Sequence, residues 1–309
     1  MTSDDTTRQG AARAWLTLLR PPNLFTVPGD PLAGAMLAAG VTGMATPWHN
    51  LLGVTVAALL LYAAGLLSND YFDRSIDARE RPDRPIPSGA VSAPSVVWVA
   101  LLLTGVALMM ALRAGGIPFT LALLLALAVW FYNGIGKRHP GLAPFAMGLC
   151  RGLSLLMGAT VLGMPGLTAW PVVGSALALT LVIALITALA RDEASTTGIP
   201  ISPLTRWGIP AALTGWMGAG WYAATTQSPG LALILAAMSI LWSLVWIIPL
   251  KKTEQPRRVQ ASVGGLIRGL LFAQAALCAF SGREGEGVAL LLIVAFPVSG
   301  WLGKWFYGS

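Results

Sequence analysis

The sequence predicts an all-α protein that crosses a membrane many times. Of its 309 residues, 55% are hydrophobic and only 11% are charged, and the mean hydropathy is +0.70. Apolar segments near bilayer length recur along the chain, and about 20 apolar residues in a helix cross the hydrocarbon core of a membrane. Basic residues are concentrated between alternate segments, which is typical of polytopic membrane proteins. A soluble globular class is therefore excluded.

Ten apolar segments define the predicted spans, and we interpret the whole chain, 1–309, as a single transmembrane domain. One segment contains Arg268, which favours a partial or interfacial segment and leaves the count at nine or ten spans. The predicted segments are 24–44, 51–69, 95–112, 117–133, 144–162, 170–190, 208–225, 230–250, 264–280 and 287–306.

The basic residues predict the orientation, because the side of a membrane protein richer in Lys and Arg is cytoplasmic. The tail 1–20 and the loops after the second, fourth, sixth and eighth segments are therefore expected in the cytoplasm. We expect an integral protein of a bacterial inner membrane. The net charge of +7 then reflects topology and does not indicate a nucleic-acid partner. The basic residues on this side are Arg8, Arg13, Arg20, Arg74, Arg79, Arg81, Arg84, Lys137, Arg138, Arg191, Arg206, Lys251, Lys252, Arg257 and Arg258.

The densest charge cluster follows the second apolar segment, in LLSNDYFDRSIDARERPDRPIPSG. Asn69, Asp73 and Asp77 are four residues apart, so they share one face of a helix, and Asp70 adds a further carboxylate. Hard oxygen ligands of this kind suit Mg²⁺, which proteins usually hold through one or two carboxylates together with substrate phosphates. A solvated, charged helix end is the alternative interpretation. The length of the string, and its place at the end of a span, favour the metal site.

The string Asn69-Asp70-Tyr-Phe-Asp73-Arg-Ser-Ile-Asp77, followed by Arg-Pro-Ile-Pro-Ser-Gly at 84–89, resembles the first signature of the UbiA-type intramembrane prenyltransferases. The entry Arg-Pro-Pro-Asn at 20–23 and the basic loop after the fourth segment are similar to the same family. Within it, the chain most resembles the EboC-like branch.

The resemblance implies a bundle of nine transmembrane helices around a central cavity. A polyprenyl diphosphate would bind there through Mg²⁺, and its prenyl group would pass to an acceptor that the sequence does not identify. The implied catalytic residues are Asn69, Asp73, Asp77, Asp192 and Lys137, of which all but Lys137 are implied metal ligands. The implied substrate-binding residues are Asn23, Asp70, Arg84, Tyr132, Arg138, Arg151 and Glu193.

The chain departs from the family pattern after the sixth segment. The family carries a second Asp-x-x-x-Asp motif there, whereas this chain has Asp192 followed four residues later by Thr196, a poorer Mg²⁺ ligand than a carboxylate. Two hypotheses stay open. Glu193 compensates in an altered but working site, or the chain is a non-catalytic prenyl-lipid binding or transport subunit on the same fold.

Two further ionisable residues lie inside predicted spans, where charged side chains are costly and usually functional. Asp30 lies in the first span and Arg151 in the fifth. We expect Asp30 to orient the acceptor or to pair with a basic residue, either Arg151 or Arg268. Arg151 is also a candidate phosphate ligand.

Overall fold

The computed structural model describes residues 3–192, 201–222, 229–250 and 256–306, and within these ranges it contains helices and no strands. The all-α prediction is confirmed. In chain order the α-helices are α1 Ser3–Leu19, α2 Pro21–Leu24, α3 Gly29–Thr42, α4 Trp48–Glu80, α5 Ala93–Ala114, α6 Gly116–Gly134, α7 Leu142–Ala159, α8 Gly163–Thr168, α9 Trp170–Asp192, α10 Pro203–Tyr222, α11 Gly230–Ile247, α12 Pro256–Ala279 and α13 Arg283–Phe306.

Nine helical segments in the described ranges are long and apolar enough to cross a membrane. They include Arg258–Ala279, so the segment expected to be partial because of Arg268 is one of the nine. The segment that falls short in apolarity is instead α10, a 20-residue helix that contains Pro210. The Arg206 guanidinium near the start of α10 donates a hydrogen bond of 2.7 Å to the Ile248 carbonyl beyond the end of α11, so these two ends lie together.

The length of α4 brings polar residues to one face of the bundle. At about 1.5 Å per residue, its 33 residues extend about 50 Å, well beyond the hydrocarbon core of about 30 Å. The first two thirds are apolar and pack against α5 and α6, whereas the last turns carry the Asn/Asp string. This end of α4 therefore carries its acids beyond the apolar part of the span, on one side of the bundle.

The helices α3 and α7 approach each other closely because Gly158 has no side chain. A Cβ atom at Gly158 would overlap the Pro31 carbonyl of α3. Small residues of this kind let membrane helices pack backbone to backbone, where van der Waals contact replaces the hydrophobic effect as the driving force. The close approach matters for function, because α3 and α7 each contribute a charged residue to the interior.

Candidate active site

The candidate site is built on the last turns of α4. Asn69, Asp70, Asp73 and Asp77 lie there within one continuous helix. Asp70 and Asp77 are buried, each with a relative exposure of 6%, whereas a quarter of the Asp73 side chain is exposed. Because Asn69, Asp73 and Asp77 are spaced by one turn, their oxygen atoms follow one side of the helix.

Lys137 contacts two members of this string from the turn that follows the neighbouring helix α6. It lies in the short 3-10 turn Gly136–Arg138 that follows α6. Its Nζ atom is 2.6 Å from Asp73 Oδ1 and donates a hydrogen bond of 3.1 Å to Asn69 Oδ1. Asn133, near the end of α6, fixes the two helices in this register by donating to the Ser68 hydroxyl at 2.7 Å and to the Gly65 carbonyl at 2.9 Å.

Two arginines neutralise the remaining acids of the string. Arg84 Nη1 donates to Asp77 Oδ2 at 2.7 Å and lies 3.7 Å from Asp70 Oδ1. Arg20, just before α2, donates to the same Asp70 oxygen at 2.6 Å. Arg84 reaches back because the chain turns after α4, in a segment of short-range turns that ends near Gly89, whose φ of 77° is in the left-handed region.

A cavity of about 270 Å³ opens beside the charged cluster. Asn69 belongs to both, because it accepts from Lys137 and also lines the cavity. From Asn69 to Ala58 the cavity follows about three turns of α4, which is about 16 Å. The wall is mostly apolar, and its aliphatic members include Ala58, Leu61, Leu66, Leu125, Val129 and Met147. Besides Asn69, the polar lining residues are Arg20, Tyr62, Tyr132, Asn133, Arg151 and Ser154.

A second polar cluster lies in the interior, on the α3–α7 side of the cavity. Arg151 Nε is 2.5 Å from Asp30 Oδ2, which confirms that Asp30 pairs with Arg151 rather than with Arg268. Gln274 of α12 donates to Asp30 Oδ1 at 2.6 Å. Sequence reasoning missed Gln274, although a glutamine inside an apolar span is a detectable signal.

The remaining predicted site residues differ in their position relative to the cavity. Tyr132 and Arg151 line the cavity, but the Arg138 side chain is exposed and makes no hydrogen bond or ion pair within the described residues. Asn23 lies in α2, where its carbonyl accepts from the Thr26 hydroxyl at 3.0 Å. The structure therefore does not bring Arg138 to the acids.

The end of α9 lies close to the loop that carries Lys137. Arg191 donates to the carbonyls of Pro140 at 3.2 Å and of His139 at 3.4 Å. The backbone of Asp192, the last residue of α9, follows directly. Its side chain, and the predicted positions Glu193 and Thr196, lie outside the residues that the structure describes.

The donor types on α4 fit Mg²⁺, since amide and carboxylate oxygens are its usual protein ligands. Within the described residues, no three acids, histidines or cysteines lie close enough together to hold a metal ion by themselves. Mg²⁺ commonly shares a site of one or two carboxylates with substrate phosphates, which supply the remaining oxygens. Asn69, Asp73 and Asp77 are the residues that would hold it from α4.

Comparison with known proteins decides the family. The model of the UbiA prenyltransferase family matches residues 31–267, which is more than half of the chain. The chain belongs to the UbiA prenyltransferase family. The predicted superfamily is thereby confirmed, and the EboC-like branch stays a prediction.

Relatives and solved structures agree with this family membership. A digeranylgeranylglyceryl phosphate synthase of Natronomonas pharaonis is 34% identical over 151 residues, covering 49% of this chain and 53% of that protein. A solved structure of digeranylgeranylglyceryl phosphate synthase gives a TM-score of 0.59 at 18% identity, covering 86% of this chain and 97% of the other. A UbiA homologue from Archaeoglobus fulgidus bound to DMAPP and Mg²⁺ gives 0.50 at 16% identity, covering 92% and 98%.

These similarities establish the family and the fold. The chain spans about half the length of the curated relatives it matches, and the structural likenesses at such low identity show the fold alone. The matched relatives come from archaea, which does not support the expected bacterial inner membrane. A protein of the UbiA fold, integral to a membrane, is what the comparisons establish.

Proposed function

We propose that this protein transfers a prenyl group from a polyprenyl diphosphate to an acceptor within the membrane. The observation that carries the proposal is the double role of Asn69, which contacts Lys137 in the charged cluster and also lines the apolar cavity. A molecule bound across this boundary would have a strongly charged end joined directly to an apolar tail. A prenyl diphosphate is such a molecule.

The residues of the charged cluster suit the departure of a diphosphate. Lys137 and Arg84 are cations within hydrogen-bonding reach of the acids, and charge-assisted hydrogen bonds to phosphate oxygens are among the stronger ones in proteins. Mg²⁺ bound at Asn69, Asp73 and Asp77 would supply further neutralisation of the charge that develops on the leaving group.

The reaction balances without any other reagent. The allylic C–O bond of the donor breaks, its electron pair leaves with the diphosphate, and an electron-rich acceptor atom forms a bond to the prenyl carbon. The acceptor loses a proton, which the released diphosphate takes up. Tyr62 and Tyr132 line the cavity, and aromatic rings stabilise a nearby positive charge through their π faces.

The site is proposed to face the cytoplasm, since Lys137, Arg84 and Arg20 belong to the basic side of the chain. A single cysteine in the exposed stretch after α4, introduced at Asp83 in a variant without Cys150 and Cys278, tests this. We expect it to be shielded from a membrane-impermeant thiol reagent in intact cells and labelled in inverted vesicles. Ready labelling in intact cells contradicts the orientation.

A non-catalytic prenyl-lipid carrier is the second candidate, and Thr196 in place of an acid is the observation that favours it. Purified protein in nanodiscs, given prenyl diphosphates of several lengths, a membrane lipid extract and Mg²⁺, separates the two. We expect Mg²⁺-dependent release of diphosphate together with a prenylated product detected by mass spectrometry. Tight donor binding without either signal identifies the carrier.

A further inference from the structure

The buried Arg151 side chain is bonded to Thr26 and Asp30 and also lines the cavity. Its Nη2 atom donates to the Thr26 carbonyl and to Asp30 Oδ1, each at 3.0 Å, while Nε contacts Asp30 Oδ2. Gln274 Nε2 donates to the same Thr26 carbonyl at 2.9 Å and so joins the cluster. Gly29 makes room for this, because a Cβ atom there would overlap the Gln274 amide.

One donor of the guanidinium is left for a ligand. A guanidinium has five N–H groups. Nη1 carries two of them and, among the described residues, makes one hydrogen bond, to the Thr26 hydroxyl at 3.3 Å. Since Arg151 lines the cavity, its remaining N–H is available to an oxygen atom of a molecule bound there.

Ser154 supplies a second polar group on the same wall. It lies one turn after Arg151 on α7, lines the cavity and is 4% exposed, and its hydroxyl has no hydrogen-bond partner within the described residues. Hydroxyls in membrane helices usually bond to a carbonyl of the preceding turn, as Thr180 does to Ala176 at 2.8 Å on α9. A buried hydroxyl that lacks this bond and lies beside a cavity can form a hydrogen bond with a bound ligand.

The charges of the cavity wall cancel. Asp30 takes up the charge of Arg151 through both of its oxygens, and Asp70 pairs with Arg20, the other cation of the wall. An anion placed beside Arg151 would therefore meet no net positive charge, and a buried uncompensated charge is costly. A neutral oxygen atom would instead receive hydrogen bonds at no such cost.

We infer that the cavity wall formed by Arg151 and Ser154 binds an uncharged acceptor through a hydroxyl or carbonyl oxygen, with Asp30 and Gln274 positioning the arginine. This inference rests on the proposed function and names its acceptor class. Asp30 is thus a specificity-determining residue, because its charge decides whether the wall is neutral or positive.

The test uses paired acceptor probes, each pair consisting of a neutral compound and its anionic counterpart. The pairs are 4-hydroxybenzamide with 4-hydroxybenzoate, and 1-O-octylglycerol with its 3-phosphate, measured by equilibrium binding to the full-length protein in nanodiscs. For wild type we expect at least one neutral probe to bind more tightly than its anionic partner. In Asp30→Asn the preference should shift toward the anion by about ten-fold or more, because Arg151 then keeps an unbalanced charge.

Further variants keep the result interpretable. Ser154→Ala removes a hydroxyl that has no partner, so the fold should persist while the neutral probe binds several-fold more weakly. Ser239→Ala, also buried and without a partner but outside the cavity lining, is the matched control and should change nothing. Thermal unfolding of Asp30→Asn checks that the variant is folded.

The outcomes separate this inference from the proposed function. If no neutral probe binds more tightly than its anionic partner, or if Ser154→Ala binds the probes as wild type does, the acceptor class is wrong, even where prenyl diphosphate turnover is found. If the charge preference and its shift in Asp30→Asn are found but diphosphate is never released, the inferred binding wall stands and the transferase proposal fails.

Discussion

Two arginine–aspartate pairs in this protein have similar distances and differ in the exposure of the arginine. Arg84 contacts Asp77 at 2.7 Å at the end of α4, where 29% of the arginine side chain and 8% of the aspartate side chain are exposed. Arg151 contacts Asp30 at 2.5 Å in the interior, where the side-chain exposures are 8% and 0%. Exposed pairs are worth little and can be broken cheaply, whereas a buried pair that loses one partner leaves an uncompensated charge.

The difference indicates different tasks. The surface pairs neutralise the acids of α4 with cations that can turn toward phosphate oxygens at small cost. The buried pair has no water to replace a lost partner, so it is suited to holding one geometry permanently. We interpret the first set as the part of the site that changes contacts during turnover, and the second as a fixed wall.

Stability measurements provide the most direct way to break this comparison. Arg151→Ala should lower the free energy of unfolding by about 3–5 kcal/mol, because Asp30 remains buried without its cation. Arg84→Ala should lower it by less, because Arg84 is 29% exposed and water can enter the space that it leaves beside the buried Asp77. Unfolding in a mixed detergent–denaturant titration measures both. Equal losses in the two variants would show that the two pairs have the same role.

The metal-ligand prediction concerns the surface set. Asp73→Asn and Asp77→Asn should each reduce Mg²⁺-dependent turnover and donor binding by about 10²–10³-fold, because a ligand is lost from the metal ion that would neutralise the diphosphate. Asp83→Asn makes the same charge change in the exposed segment after α4 and is the control, with turnover as in wild type. Near-normal donor affinity in both site variants would show that the Asn/Asp string is only a solvated helix end.

Much of the surface set could be predicted from the sequence, because its signals are local. Asn69, Asp73 and Asp77 are spaced by one helical turn in a single helix, and Lys137 lies in the next loop on the same side. Arg138, its neighbour in sequence, was expected at the site as well. Sequence alone could not tell which of two adjacent basic residues a 3-10 turn directs toward α4.

The interior set was harder to predict, because its members come from three helices far apart in the chain. Asp30 and Arg151 could each be recognised as costly charges in a span, but the choice of partner depended on how closely α3 and α7 pack. Gln274 and Ser154 were missed: the glutamine was detectable as a polar residue inside an apolar span, whereas a serine in a helix carries no such signal. The predicted count of nine spans is confirmed within the described residues, but the doubtful segment was wrongly identified, because the segment with Arg268 is one of the nine and α10 is the less apolar helix.

Lys137 sharpens the comparison within the surface set. Lys137→Gln keeps a donor but removes the charge, so we expect donor affinity to fall by about ten-fold or more, while the unfolding free energy changes by at most about 1 kcal/mol. Arg81→Gln removes a basic charge from an exposed position on the same side and serves as control. If Lys137→Gln unfolds readily but binds the donor normally, Lys137 belongs with the fixed, structural set.

The smallest effect is expected for Thr196→Asp in the second metal motif, where the chain departs from its family. Asp192 ends α9, and Thr196 follows it by four residues, the spacing at which a helix would place both on one face. If the motif is only weakened, Thr196→Asp should add a carboxylate for the metal, and turnover at limiting Mg²⁺ should rise by a few-fold with little change at saturation.

The same titration distinguishes the other possibilities at this motif. If Glu193 already serves as the second acid, Thr196→Asp should be neutral or harmful, because the added carboxylate repels one already in place, and Glu193→Gln should be severely damaging. A carrier releases no diphosphate in any of these variants. We predict the weakened site, with Asp192 essential and Glu193 contributing in part. Unchanged turnover in Asp192→Asn would contradict this prediction, because the metal would then be held from α4 alone.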